Sequence, residues 1–130
     1  MNGAPLRVRW LGRVPYREAL ALQHALFDPS VGSGDEQHLL LLEHDHVFTY
    51  GPHAHLDDNL RCDPAAVGAD FVAVKRGGDI TYHGPGQLVG YPIVSLPNAK
   101  GSLEHVRSVE QLLIDALTEL GVPGAGRLPE

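Results

Sequence analysis

The sequence contains a single cysteine, Cys62, among 130 residues. That excludes an internal disulfide and any zinc signature built on paired cysteines, and it suits a reducing compartment. A basic excess is also lacking. Lys and Arg number 10 against 16 Asp and Glu, a formal net charge of −6, which argues against a general nucleic-acid binder. No apolar run approaches the length of a membrane span, and "MNGAPLRVRWLG" has no apolar core of signal-peptide length. A cytoplasmic chain with no nucleic-acid or membrane partner is therefore expected. Internal repeats, low-complexity tracts and the Gly-Lys-Ser/Thr of a P-loop are absent too.

What is present describes one domain with a real core. The apolar fraction is 43% and the charged fraction 20%, ordinary values for a globular protein. "LRVRWLG" alternates apolar and basic residues, so Leu6, Val8 and Trp10 are expected to face a core from a strand. Arg7, Arg9, Arg13 and Arg17 gather in the same region, either as scattered solvated charges or as a docking patch for an acidic partner. Pro15 stands where a helix can start, and Ala19, Leu22 and Leu26 form one helical face with Tyr16 and Leu20 at its edge. The run Leu39 to Leu42 reads as a strand covered on both faces. "GPHAHLDDNLRCDPAAVGAD" is turn-rich, with room for a short helical piece.

"FVAVK", "ITYH" and "LVGYPIVSL" follow as strands with no helical crossover between them, which predicts a hairpin or meander. Last comes a clear helix. Ser102 is its expected N-cap, Val106, Val109, Leu113, Ala116, Leu117 and Leu120 its apolar stripe, and Gly121 its C-terminal stop. The fold class is α/β, of mixed α+β character, with a mixed sheet flanked by helices.

Four features carry possible chemistry. "GPGQLVG" echoes a dinucleotide fingerprint, but β-forming residues follow it where a helix must open, so that reading fails. "EHDHVFTYGPHAH" holds His44, His46, His53 and His55, either a metal-binding set or a surface cluster without metal. Cys62 sits beside Arg61 in a loop-like stretch and reads as structural or incidental. The fourth is "RGGDITYHGPGQLVGYP", residues 76 to 92, with five glycines. Arg76 can supply charge or clamp a carboxylate, Gly77 and Gly78 let a ligand lie against bare peptide groups, and Thr81, Tyr82 and His83 add polar tips. On these residues alone, a backbone-built ligand pocket and a tight hairpin with incidental polar groups both stand.

The motif "RGGDITYHGPGQLVGYPI" resembles the signature of the lipoyl(octanoyl) transferase family. "LGRVPYREALALQ" is similar to that family's N-terminal strand and helix, and "LLLLEHDHVFTYG" to its strand ending in Glu-His. The resemblance implies a fold like the catalytic domain of biotin and lipoate protein ligases. It also implies transfer of an octanoyl group from acyl carrier protein to a lysine of a lipoyl domain, through a cysteine thioester, without a cofactor. Lipoyl domains of 2-oxoacid dehydrogenase complexes and the glycine cleavage H protein are the partners it implies. By the same resemblance Arg76, Gly77, Gly78, Asp79, Ile80, Thr81, Tyr82 and His83 line the acyl substrate site. The family's nucleophilic cysteine and its lysine are expected beyond Glu130, so no catalytic residue carries over, and residues 1–130 are expected to be a single, incomplete catalytic domain, inactive alone. The alternative is a non-catalytic module that binds an acyl group, or a metal through the four histidines.

Overall fold

The computed structural model describes residues 4–28, 36–96 and 101–129. Contacts divide the chain into two units, Met1–Val94 and Ser95–Glu130. Two mixed sheets of three strands each organise the first unit. In sheet A, β1 (Leu6–Arg13) and β2 (Gln37–Glu43) lie parallel, with Val8 opposite Leu39 and Trp10 opposite Leu41. Parallel neighbours need a crossover, and α1 (Tyr16–Phe27) supplies it. Here β6 is Val89–Ile93, antiparallel to β2 on its other side. Pro92 is tolerated because β6 is an edge strand, where a missing N–H need not break a ladder.

Sheet B repeats the plan. Its central strand β3 (Val47–Tyr50) is parallel to β4 (Asp70–Ala73) and antiparallel to β5 (Ile80–His83). The crossover from β3 to β4 carries α2 (Leu56–Asn59) and a 3-10 turn, Ala65–Val67. The expected hairpin or meander is therefore corrected: β4 and β5 flank β3, and β6 belongs to the other sheet. The cause lies in the connections. Val74 N–H donates to Tyr50 O at 2.9 Å and Gly51 N–H to Asp79 O at 3.4 Å, so residues 74–79 pass over the end of β3 and lay β5 on its far side.

Helix α1 serves both sheets, as its apolar face predicts. Ala19 packs with Leu40, Leu42 and Val89, with Leu11, Val14, Leu22 and Leu26 around them. Tyr16 and Leu20 pack instead with Val47, Val72 and Val74. The expectation for β1 is overturned. Leu6, Val8 and Trp10 are 50%, 56% and 62% exposed, because α1 covers the face of sheet A that carries Leu40 and Leu42. Likewise β2 is not covered on both faces: His38, Leu40 and Leu42 are buried, while Leu39 and Leu41, opposite Val8 and Trp10 in register, are half-buried.

The second unit is α3 (Gly101–Glu119) and its tail. The helix opens at Gly101, so Ser102 falls in its first turn and is not the N-cap. Its C-terminus is as expected. Gly121 takes φ 84°, Val122 N–H reaches Leu117 O at 2.9 Å and Gly121 N–H reaches Thr118 O at 3.0 Å, the paired bonds of a Schellman stop. Arg127 ties the tail back to the helix through Glu110 at 2.7 Å and the Arg107 carbonyl at 3.0 Å. The stripe residues Val106, Leu113, Leu117 and Leu120 stay exposed, since one helix and a short tail offer little to bury them within this unit. Among the described residues no helix is long and apolar enough to cross a membrane.

Candidate functional site

The segment from Arg76 to His83 is bent by glycine and fastened by its two charged residues. Gly78 takes φ 87°, a backbone conformation that side-chain-bearing residues rarely adopt. Opposite it, a side-chain carbon on Gly51 would collide with the Arg76 carbonyl oxygen, so the loop can close on β3 only over a glycine. Arg76 Nη2 donates to the carbonyl and hydroxyl oxygens of Thr49, each at 2.9 Å, and Nη1 donates to Gly77 O at 2.8 Å. Asp79 accepts from His55 N–H at 3.0 Å and Asn59 Nδ2 at 2.6 Å, which holds α2 in place. Arg76 is thus held by the protein itself. Its fork is occupied by protein oxygens, and its charge acts from a fixed position. Between these anchors Gly77 is exposed, and nothing lies within 4 Å of where its side chain would be.

Downstream, β5 turns His83 toward the interior side of sheet B and Tyr82 to the outer side, as alternation requires. Tyr82 meets Phe48, with ring centroids 5.3 Å apart, and bonds to His46. Ile80 and Thr81 sit opposite Tyr50 and Thr49, so they serve the ladder to β3. His83 enters a ring cluster made of Tyr16 from α1, His44 after β2, and Tyr91 from β6. Its ring stacks on Tyr16 at 6.4 Å and 10°, and lies 5.7 Å from His44. His44 in turn lies 5.1 Å from Tyr16 and 5.8 Å from Tyr91.

His44 is fully buried and uses both ring nitrogens. A carbonyl can only accept, so the Val14 oxygen at 2.7 Å takes the Nδ1–H, and Nε2 accepts from the Tyr91 hydroxyl at 2.7 Å. Burial, the largest influence, holds the His44 imidazole below the ordinary 6.5; the Val14 bond opposes it, His83 adds to it, and Asp45 opposes it. Tyr91 is pushed well above the ordinary 10.0 by burial, then by Tyr16, against a bond from Gln23. Burial raises Tyr16 as well, with Arg76 pulling the other way. At neutral pH Tyr16, His44 and Tyr91 are therefore uncharged hydrogen-bonding rings, with the Arg76 cation beside them.

The four histidines do not converge. His44 is spent on Val14 and Tyr91, His46 on Tyr82, and His53 and His55 are exposed at the turn before α2. Among the described residues no group of three His, Cys, Asp or Glu is placed to hold a metal ion. Cys62 is exposed in the stretch between α2 and the 3-10 turn. Of the arginine group, Arg7 pairs with Glu36 at 2.8 Å and Arg13 with Asp45 at 2.9 Å, which halves its free charge.

Comparison with known proteins decides the family. The sequence pattern described as "Lipoyl protein ligase A/B catalytic domain" matches residues 15–127. The chain belongs to that family. An octanoyltransferase of Solibacter usitatus is 45% identical over 126 residues, covering 95% of this chain and 57% of the relative. One of Clavibacter sepedonicus is 47% identical over 109 residues, 84% of this chain and 45% of the relative. One of Myxococcus xanthus is 44% identical over 124 residues, 92% of this chain and 34% of the relative. The chain thus spans about half the length of the first two. Its mixed α/β architecture is the one expected of the family, divided here between two mixed sheets.

The sequence singled out His83 and Arg76, but not the rings that surround His83. Tyr16 read as the edge of an apolar face, and Tyr91 as one more strand residue. The signal was the hydroxyl: a tyrosine on a core-facing position needs a partner for its polar tip.

Proposed function

We propose that this chain carries the acyl-site wall of an octanoyltransferase of lipoate biosynthesis. The reaction moves an octanoyl group from its acyl carrier protein to a lysine of a lipoyl domain, through a thioester on a cysteine. Lipoyl domains of 2-oxoacid dehydrogenase complexes and of the glycine cleavage H protein are the proposed acceptors, and the cytoplasm the proposed setting. The 130 residues supply one portion of the catalytic domain, a reading supported by the share of each relative that they cover.

The observation that carries the reading is the open main chain at Gly77, set between the anchors Arg76 and Asp79. With both charged side chains spent on the protein, the segment offers a ligand its peptide groups and nothing bulky. An acyl chain can lie against that surface, and peptide N–H groups can stabilise a thioester oxygen as it becomes an oxyanion. In this reading Arg76 and Asp79 shape the wall, Gly77 and Gly78 form it, and Thr81, Tyr82 and Ile80 support it from β5. Cys62, exposed in its loop, is not the thioester-forming group.

The test is titration of the chain with octanoyl-pantetheine, followed by amide chemical shifts. Shifts are expected at Gly77, Gly78 and His83. Saturable shifts confined to residues 101–129, or none at all, would sink the reading. In parallel, intact mass after incubation with octanoyl-acyl carrier protein should reveal no adduct on Cys62 that passes to a lipoyl-domain lysine.

A further inference from the structure

The turn after β5 places Gln87 where nothing so far has assigned it a role. Gln87 N–H donates to Gly84 O at 3.1 Å, which closes the turn, and its side-chain Oε1 lies 2.7 Å from His83 Nδ1. An amide oxygen can only accept, so Nδ1 must carry the proton of that bond. A neutral His83 then has a bare lone pair on Nε2, and no partner for that nitrogen is found among the described residues. The ring's orientation is set by that bond, with Tyr16 at 6.4 Å on one side and His44 at 5.7 Å on another. His44 cannot donate to it either, since its own two nitrogens are engaged by Val14 and Tyr91.

We propose that Gln87 is a positioning residue that fixes His83 as the Nδ1–H tautomer, so that Nε2 is presented to the ligand as a hydrogen-bond acceptor. The ligand chemistry it fits is an N–H donor close to the acyl thioester, such as the amide groups of a pantetheine arm. This inference rests on the acyl-site reading for its ligand, but not for its geometry. The glutamine of the His-Gly-Pro-Gly-Gln stretch is then explained by chemistry: a residue four places on returns across the turn to set the proton on His83. Gln87 itself is exposed, so changing it removes the bond without opening the core.

The experiment reads the ring nitrogens directly by 15N NMR, at a pH where His83 is neutral. The wild-type chain should give a protonated Nδ1 and a bare Nε2. Gln87→Leu should shift His83 to the Nε2–H form that an unrestrained histidine favours, and Gln87→Glu, which keeps an oxygen acceptor, should restore Nδ1–H. Octanoyl-pantetheine should bind Gln87→Leu about two- to tenfold more weakly, the equivalent of one neutral hydrogen bond. Methyl octanoate, which has no N–H, should bind both forms alike. A wild-type His83 already in the Nε2–H form, a tautomer unmoved by Gln87→Leu, or equal weakening of both probes would overturn the proposal. If neither probe binds while the tautomer still follows residue 87, the acyl-site reading fails and the positioning role stands.

Discussion

The two sheets of Met1–Val94 share a pairing plan and differ in what they do with buried polar groups. Each sets a central strand between a parallel and an antiparallel neighbour. Sheet A buries aliphatic residues against α1, and the buried ring nitrogen His38 Nδ1 has no hydrogen-bond partner among the described residues. Sheet B buries Thr49, and gives both of its oxygens to Arg76. Sheet B is wired through Thr49 to the loop at Arg76, while sheet A reaches the site from the other side, through the Tyr91 hydroxyl on His44 and through Glu43, which accepts from Gly86 N–H at 3.3 Å. The difference teaches where function sits when topology is repeated: in the satisfied polar contacts, which tie particular loops to particular strands.

Truncating the aliphatic core should have the largest effect. Leu40→Ala or Leu42→Ala removes a fully buried side chain from the contact between α1 and β2, and should cost about 2–5 kcal/mol of unfolding free energy in denaturant. The ring cluster should then be lost together with the fold, not separately. A variant that kept its octanoyl-pantetheine shifts but melted early would mean that sheet B and the site stand independently of sheet A.

The polar wiring comes next. Arg76→Ala strips a charged donor from both Thr49 oxygens and should cost about 1.5–3 kcal/mol, while also releasing residues 77–79. Probe binding should fall in step. Thr49→Val, close in shape, should cost roughly 1 kcal/mol, because Arg76 keeps the carbonyl and loses only the hydroxyl. If Arg76→Ala were as stable as wild type, sheet B would be no better connected than sheet A.

Tyr91→Phe tests the ring cluster. It leaves His44 Nε2 buried without its donor, at about 1–3 kcal/mol. The pH dependence has a definite sign. His44 is harder to charge in the folded state, so its contribution is complete above the ordinary 6.5 and is lost as pH falls below it. Tyr91 and Tyr16 are harder to ionise when folded, so theirs is complete below 10.0 and is lost as pH rises above it. Denaturation curves from pH 5 to 11 should therefore bracket a plateau between those values. Stability that rose on acidification below 6.5 would contradict a neutral, buried His44.

How much of this was legible beforehand follows from the range of each signal. The stripe of α1 and the Schellman stop at Gly121 are local patterns, and they fold as they read. The family motif marked the segment around His83. What the sequence left open was every pairing between distant strands. β4, β5 and β6 looked consecutive because alternation says which residues share a face but not which strand lies alongside. Leu6, Val8 and Trp10 misled for the same reason: their shared face is real, and α1 covers the other one. Arg76 looked like a ligand clamp because its type suits one, while its partner Thr49 is 27 positions away.

The smallest effect should come from the unpartnered buried nitrogen of sheet A. His38 is 3% exposed, stands opposite Arg7 on one side and Ile93 on the other, and has Nδ1 unbonded. Its Nε2 lies 3.8 Å from Glu36 Oε2, too long for a hydrogen bond, and the other oxygen of Glu36 is taken by Arg7 at 2.8 Å. A buried polar group without a partner has already lost its water and gained little in return. His38→Leu removes the desolvated nitrogen and keeps most of the volume, so unfolding free energy should change by no more than about 1 kcal/mol, in either direction. Thr49→Val, the matching change in sheet B, should be the more damaging of the pair. If His38→Leu proved worse than Thr49→Val, then His38 would hold a partner that matters to the fold.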